Sequence, residues 1–286
     1  MALQVLAKKP PIELHIEYYS RIFNLKWGKD ISTNEYTILA SDLENPTPYC
    51  MSQHPSIQPI NIDENISYQD IIIYTDGSKI VNKVGCAFVV FSDNIELYHQ
   101  TFKLGELSTI FQVEMIAILE ALVWTNREYR FKNIIIISDS ASALATIKST
   151  KLNQISTKIK EQITASTNNY NFMWTRAHEG TFGNERADEL AKSATNDPKL
   201  LIIYNKISLQ TAKKLLWNDV LNKWQQKWNT YKEKTMYKFF LIIKDMYKYD
   251  WIQPTHLLIY YINTILYGSW EICKLPKKIS TLNTNR

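Results

Sequence analysis

Three cysteines in 286 residues, Cys50, Cys86 and Cys273, are too few and too scattered for a disulfide framework or a zinc site. Their odd number and wide spacing fit a reducing intracellular setting, cytoplasmic or nuclear. Long apolar runs are missing too. The best candidate, Leu257 to Tyr267, is interrupted by Asn263 and Thr264 and is too short to cross a bilayer, so it reads as a packed helix rather than a membrane span. The opening residues Met-Ala-Leu-Gln-Val-Leu-Ala-Lys-Lys-Pro-Pro place no charge ahead of their short apolar stretch, which argues against a secretory leader. No internal repeat or low-complexity run stands out.

What is present is the balance of a globular protein, with 45% hydrophobic and 21% charged residues, enough for one generous core or two modest ones. The net charge of +5 is unevenly spread. Residues 1–66 carry a net of −3, residues 67–197 a net of −2, and residues 198–286 a net of +10. These three stretches are the expected organisation: an N-terminal segment, a central domain and a basic C-terminal region. Such a tail can attract a phosphate backbone, or its lysines can simply coat a helical surface.

Residues 12–27 have the spacing of a short amphipathic helix. From Ser41 to Tyr68, Pro46, Pro48, Pro55 and Pro59 among Asn, Ser and Asp read as a linker. Strands are expected at 69–75, 85–92, 95–103, 134–138 and 170–174, with a tight turn at Ser92-Asp93-Asn94. Helices are expected at 110–129, 141–149, 152–167 and 184–195. Antiparallel strands followed by strand–helix alternation imply an α/β fold, a five-stranded mixed sheet flanked by helices. Beyond Pro198 the chain looks helical. Trp217, Leu221, Trp224 and Trp228 mark one helix face, suited either to stacking on bases or, more commonly, to docking on a neighbouring helix.

Four acids sit where a regular element would hold a carboxylate at its end or in its first turns. Asp76 follows Ile71-Ile72-Ile73-Tyr74-Thr75, and Asp139 follows Ile134 to Ser138. Glu114 lies near the start of one helix and Asp188 just inside another. Carboxylates gathered from separate elements repel unless a cation lies between them, and oxygen donors suit a hard divalent ion. Taken singly, Glu114 or Asp188 would be an ordinary acid on a helix surface.

The order and flanks of these residues resemble a type 1 ribonuclease H domain, in the form found near the end of non-LTR retrotransposon polyproteins. Residues 68 to 196 carry the resemblance. Its most specific part is Trp174-Thr175-Arg176-Ala177-His178-Glu179-Gly180 followed by Gly183-Asn184-Glu185-Arg186-Ala187-Asp188. The resemblance implies an RNA–DNA hybrid as substrate, hydrolysed in its RNA strand to 3′-hydroxyl and 5′-phosphate ends. It implies two Mg²⁺ ions, with Mn²⁺ as a possible replacement. Asp76 would be shared between the ions, Glu114 and Asp139 would serve one, and Asp188 the other. His178 would assist catalysis or product release without binding metal. Gly77, Ser78, Gln112 and Asn184 are expected to face the substrate, Asn184 doubling as a helix cap. Thr109, Ser140 and Ser142 are weaker candidates for duplex contact.

In such polyproteins a reverse transcriptase lies upstream. Nothing here resembles a polymerase active site, so the chain looks like a detached downstream piece. Two features depart from the family pattern. The loop Lys79 to Gly85 lacks the Gly- and Pro-rich run many relatives carry, and the stretch from Asp139 to Asp188 lacks room for a basic protrusion. Two other readings stand beside the nuclease: a non-catalytic hybrid-binding module from a truncated element, and a DNA strand-transferase on the same fold. The Asp-Glu-Asp-Asp order disfavours the latter.

Overall fold

The computed structural model describes residues 1–45, 69–150, 153–176, 180–233, 237 and 240–246. The expected linker beyond Asn45, the helix expected at Leu257–Tyr267, and His178 lie outside the described residues. The chain divides into two compact units. One comprises Met1–Phe23 with the described residues from Leu216 onward, and the other Asn24–Leu215. This division differs from the three consecutive stretches that composition marks, because it joins the two ends of the sequence.

Among the described residues, the elements in chain order are α1 (Ala2–Leu6), α2 (Ile12–Lys26), β1 (Ile31–Ser32), β2 (Thr37–Ile38), β3 (Ile71–Ile80), β4 (Lys83–Ser92), β5 (Ile95–Leu104), α3 (Ile110–Glu128), β6 (Asn133–Ser138), α4 (Ala141–Lys148), α5 (Gln154–Thr164), β7 (Asn169–Trp174), α6 (Phe182–Asn196), β8 (Ile202–Tyr204) and α7 (Leu209–Asn229). A one-turn helix, Ile243–Met246, follows. The main sheet has the order β7-β6-β3-β4-β5-β8. Strands β3, β4 and β5 form an antiparallel meander, while β6 runs parallel to β3 and β7 parallel to β6.

The sheet therefore has six strands rather than five. The sixth, β8, pairs in parallel with the edge strand β5. Its three residues are too short to show a period of two, and they lie in a stretch that sequence alone marks as helical. The expected turn after β4 is present. Asp93 and Asn94, both at positive φ (50° and 63°), join Ser92 to Ile95, the geometry that a two-residue hairpin loop requires.

Strand β4 shows how the sheet is covered. Its residues Val84 to Phe91 are all buried, as expected for a strand with helices on both faces. Cys86, Phe88 and Val90 pack with Val113, Ile116 and Trp124 of α3 in the main core. On the other face Ala87, Val89 and Phe91 pack with Ala187, Leu190 and Ala191 of α6. Gly183 lets α6 settle there, since a Cβ on it would lie 2.2 Å from the Tyr74 ring.

The other unit has its own core. Val5, Leu14, Val220, Leu221, Trp224, Trp228 and Ile243 are buried together. The aromatic stripe of α7 is thus a packing face, with Trp224 and Trp228 fully buried. Ion pairs flank it. Arg21 bonds Asp219 at 2.5 Å, Lys227 bonds Glu13 at 2.8 Å, and Lys223 pairs with Glu17.

Candidate active site

Strands β3 and β6 run side by side from Ile71↔Ile134 to Thr75↔Ser138, where β6 ends. Strand β3 continues to Ile80 against β4. Asp76 is therefore inside a ten-residue strand rather than at its end, just past the last parallel pair, and Asp139 immediately follows β6. Residues Asp76–Ile80 lie beyond the strand expected at 69–75, but ladder bonds to the apolar strand β4 hold them extended. The indole Nε1 of Trp174 donates to the Asp139 carbonyl at 2.9 Å, and Ser140 caps α4.

Glu114 comes from the second turn of α3. This helix starts with a capping box in which the Thr109 hydroxyl accepts from the Gln112 N–H and the Gln112 side chain accepts from the Thr109 N–H. The helix lies very close to β3 at Gly77. A Cβ there would stand 2.8 Å from Val113 Cγ1 and 3.1 Å from the Glu114 nitrogen, so only glycine permits this approach.

Carboxylate oxygens of Asp76, Glu114 and Asp139 all lie within 4.8 Å of one another. Burial pushes the Asp76 carboxyl up to about 7, with further upward push from Asp139 and Asp188, against a hydrogen bond from the Gly77 backbone and the charge of Lys192. Glu114 is raised well above its ordinary range by burial and then by Asp76 and Asp139. Its Oε2 is buried and has no hydrogen-bond partner among the described residues. An orphaned carboxylate oxygen beside two other acids is costly for a fold to maintain without a ligand. Hard oxygen donors converging in this way fit a divalent cation.

Asp188 is not among these three. Its carboxylate bonds Lys192 Nζ at 2.5 Å, one turn along α6, yet it is near enough to act on Asp76. Several other expected site residues stand differently from the expectation. Gln112 is 2% exposed, and its Nε2 donates to Glu44 Oε1 at 2.6 Å, so the side chain expected at the substrate is committed inside the protein. Asn184 does not cap α6, which begins at Phe182 after Thr181. It sits in the first turn, buried, with Oδ1 unpartnered among the described residues. Ser78 is buried, opposite Gly85 in the β3–β4 ladder. Thr109 and Ser140 act as helix caps. Sequence reasoning missed Lys192 and Trp174 as neighbours of the acids. The i,i+4 spacing of Asp188 and Lys192 was a visible signal for the first, whereas nothing marks the indole of Trp174.

Residues 68–196 match the family model for RNase H. That match spans a little under half of the chain, and the region it covers is a mixed sheet flanked by helices. Similar solved structures include LC11-RNase H1, crystallised in complex with an RNA/DNA hybrid, at 23% identity and a TM-score of 0.39, covering 44% of this chain and 96% of that one. RNase H1 from the halophilic archaeon Halobacterium salinarum NRC-1 is similar at 21% identity and a TM-score of 0.38, covering 43% and 96%. No curated protein matches the sequence. Among the described residues, no helix is long and apolar enough to cross a membrane.

Proposed function

We propose that this chain is a metal-dependent endonuclease that hydrolyses the RNA strand of RNA–DNA hybrids, leaving 3′-hydroxyl and 5′-phosphate ends. The observation that carries this reading is the convergence of buried Asp76 and Glu114 with half-buried Asp139, together with the orphaned Oε2 of Glu114. Mg²⁺ suits these ligands, and Mn²⁺ takes the same oxygen donors. Three oxygens within 4.8 Å of one another form a donor set that would hold such an ion once drawn inward around it. When bound, a pair of such ions supplies charge neutralisation and an activated water for phosphodiester hydrolysis.

Asp76, Glu114 and Asp139 would hold the first ion. Asp76 would be shared with the second, which Asp188, now bonded to Lys192, would also hold. Asn184 would contact a 2′-hydroxyl in this reading, and the Gly77 N–H orients the Asp76 and Glu114 carboxylates. His178 moves a proton or helps release product, since an imidazole titrates near neutral pH. An origin in a retrotransposon polyprotein, downstream of a reverse transcriptase, rests on the resemblance of the Trp174–Asp188 strings. An intracellular site of action, with the hybrid itself as partner, follows from the same reading.

The test is a gel assay with a labelled hybrid, single-stranded RNA and double-stranded DNA, each with Mg²⁺ and with chelator. Cutting of hybrid RNA alone, and only with the ion, is the expected result. Binding without cutting, or cutting of the DNA, refutes the assignment. His178→Ala is expected to slow turnover substantially without abolishing it, whereas Asp76→Asn abolishes it. Equal, complete losses would overturn this division of roles.

A further inference from the structure

We propose that Glu44 is a positioning residue for the catalytic carboxylates, acting from outside the region that matches RNase H through Gln112 on the first turn of α3. The proposal builds on the metal-site reading above. Glu44 and its second partner, Tyr204, both lie beyond the matched residues 68–196. A single oxygen, Glu44 Oε1, accepts from Gln112 Nε2 at 2.6 Å and from the Tyr204 hydroxyl at 2.6 Å. Short bonds to a carboxylate are among the stronger hydrogen bonds in proteins.

The flanking segments are themselves tied down. Glu44 N donates to the Ile207 carbonyl at 2.8 Å, and Ile207 N donates to the Asp42 carbonyl at 2.7 Å. Gly105 N donates to the Tyr204 carbonyl at 2.8 Å, which anchors the Tyr204 end of β8 beside the main sheet. Burial, and then the Glu44 carboxylate, push the Tyr204 hydroxyl far above its ordinary range, so it stays protonated and keeps donating.

On the other side, the Gln112 amide links this carboxylate to the helix start. Its Oε1 accepts from Thr109 N at 2.8 Å and from Thr109 Oγ1 at 2.9 Å. A carboxylate near a helix N-terminus also interacts favourably with the unpaired N–H groups there. Glu114 is two residues further along the same rigid helix. At Gly77 that helix lies so close to β3 that a Cβ would not fit beside Val113 and the Glu114 nitrogen, so the seating of the first turn is coupled to the position of Glu114. A side chain that merely tied down a loop would not need to grip the residue two before a metal ligand.

The test uses the full chain. Mn²⁺ affinity is measured by calorimetric titration, together with hydrogen exchange of the metal-free α3 amides and steady-state cleavage of the hybrid. Glu44→Ala should weaken Mn²⁺ binding by roughly 10-fold, the low end of the range for removing a direct partner of a metal ligand, because Glu44 acts one residue removed through Gln112. It should also speed exchange at Gln112–Glu114 and lower kcat with KM for the hybrid unchanged. Glu44→Gln, which keeps an acceptor oxygen, should recover most of the affinity.

A lowered melting temperature with Mn²⁺ affinity unchanged, well below that temperature, overturns the proposal and makes Glu44 a loop anchor only. Should Glu44→Ala not fold, Tyr204→Phe removes one of the two bonds and decides the matter by the same affinity readout. Weakened Mn²⁺ binding in the variants without hybrid cleavage by the wild type would sustain the positioning role and sink the nuclease. Cleavage with variant affinities unchanged would do the reverse. A wild type that binds no divalent ion would end both.

Discussion

Asp76 is the residue on which most of the site's electrostatics turn. Its carboxyl titrates at about 7 in the folded metal-free chain, against an ordinary 3.8. Below pH 3.8 it is protonated both folded and unfolded. As the pH rises the unfolded form ionises first, so each pH unit across the window up to about 7 removes about 1.4 kcal/mol of stability. Glu114 acts in the same direction. The metal-free protein should therefore melt higher at pH 5 than at pH 8, and Asp76→Asn should flatten that slope and raise the melting temperature at pH 8. Thermal unfolding in chelator at several pH values measures this, and a wild type more stable at pH 8 would contradict it. Gly77→Ala should cost about 1–3 kcal/mol, because its Cβ would crowd Val113 and the Glu114 backbone. Denaturant melts would record that loss, and ion binding should weaken with it. At this scale the sequence marks Asp76 and Asp139, since an acid after an isoleucine run is a visible signal. It could not show that Gln112 would turn inward, because that depends on where a side chain points once its helix is seated.

Among the elements, those with a strong apolar period were legible and those held by pairing alone were not. Strands β4, β6 and β7 and helix α3 announce themselves by β-branched and apolar runs and, for α3, by the Thr109–Gln112 cap. The far half of β3 and the whole of β8 are paired with a neighbouring strand, and neither carries a run long enough to show a period of two. Helix α7 was readable as a stripe, and burial decides between its two readings. Trp224 is fully buried, so Trp224→Ala should cost about 3–5 kcal/mol, read by circular dichroism during denaturant unfolding. A loss under 1 kcal/mol would show that this core is not the unit's main support. Lys223 and Lys227 already face Glu17 and Glu13. Replacing both by Ala should leave the salt dependence of hybrid binding unchanged, whereas each lysine that contacts phosphate would lower the slope by about 0.9. A slope change near 1.8 would place this pair on the nucleic acid.

Over the whole molecule, ligand binding and fold stability are linked. A divalent ion that binds only the folded carboxylates should stabilise by about 2.7 kcal/mol at a hundred times its dissociation constant. Scanning calorimetry with and without Mg²⁺ should show this as an upward shift in melting temperature, absent in Asp76→Asn. Composition divided the chain into consecutive stretches because charge and proline content can be read along a line. Nothing along that line reveals that Val5 and Leu14 share a core with Trp224 and Trp228, and only compaction brings them together.

That core also sets a timetable for synthesis. Its first strands of sequence leave the ribosome roughly two hundred residues before their partners on α7 exist. At typical elongation rates of about 5–20 residues per second, Val5 and Leu14 wait on the order of 10–40 seconds with their apolar faces unsatisfied. Until α7 follows, the apolar faces of α1 and α2 that carry Val5 and Leu14 are thus open to a chaperone.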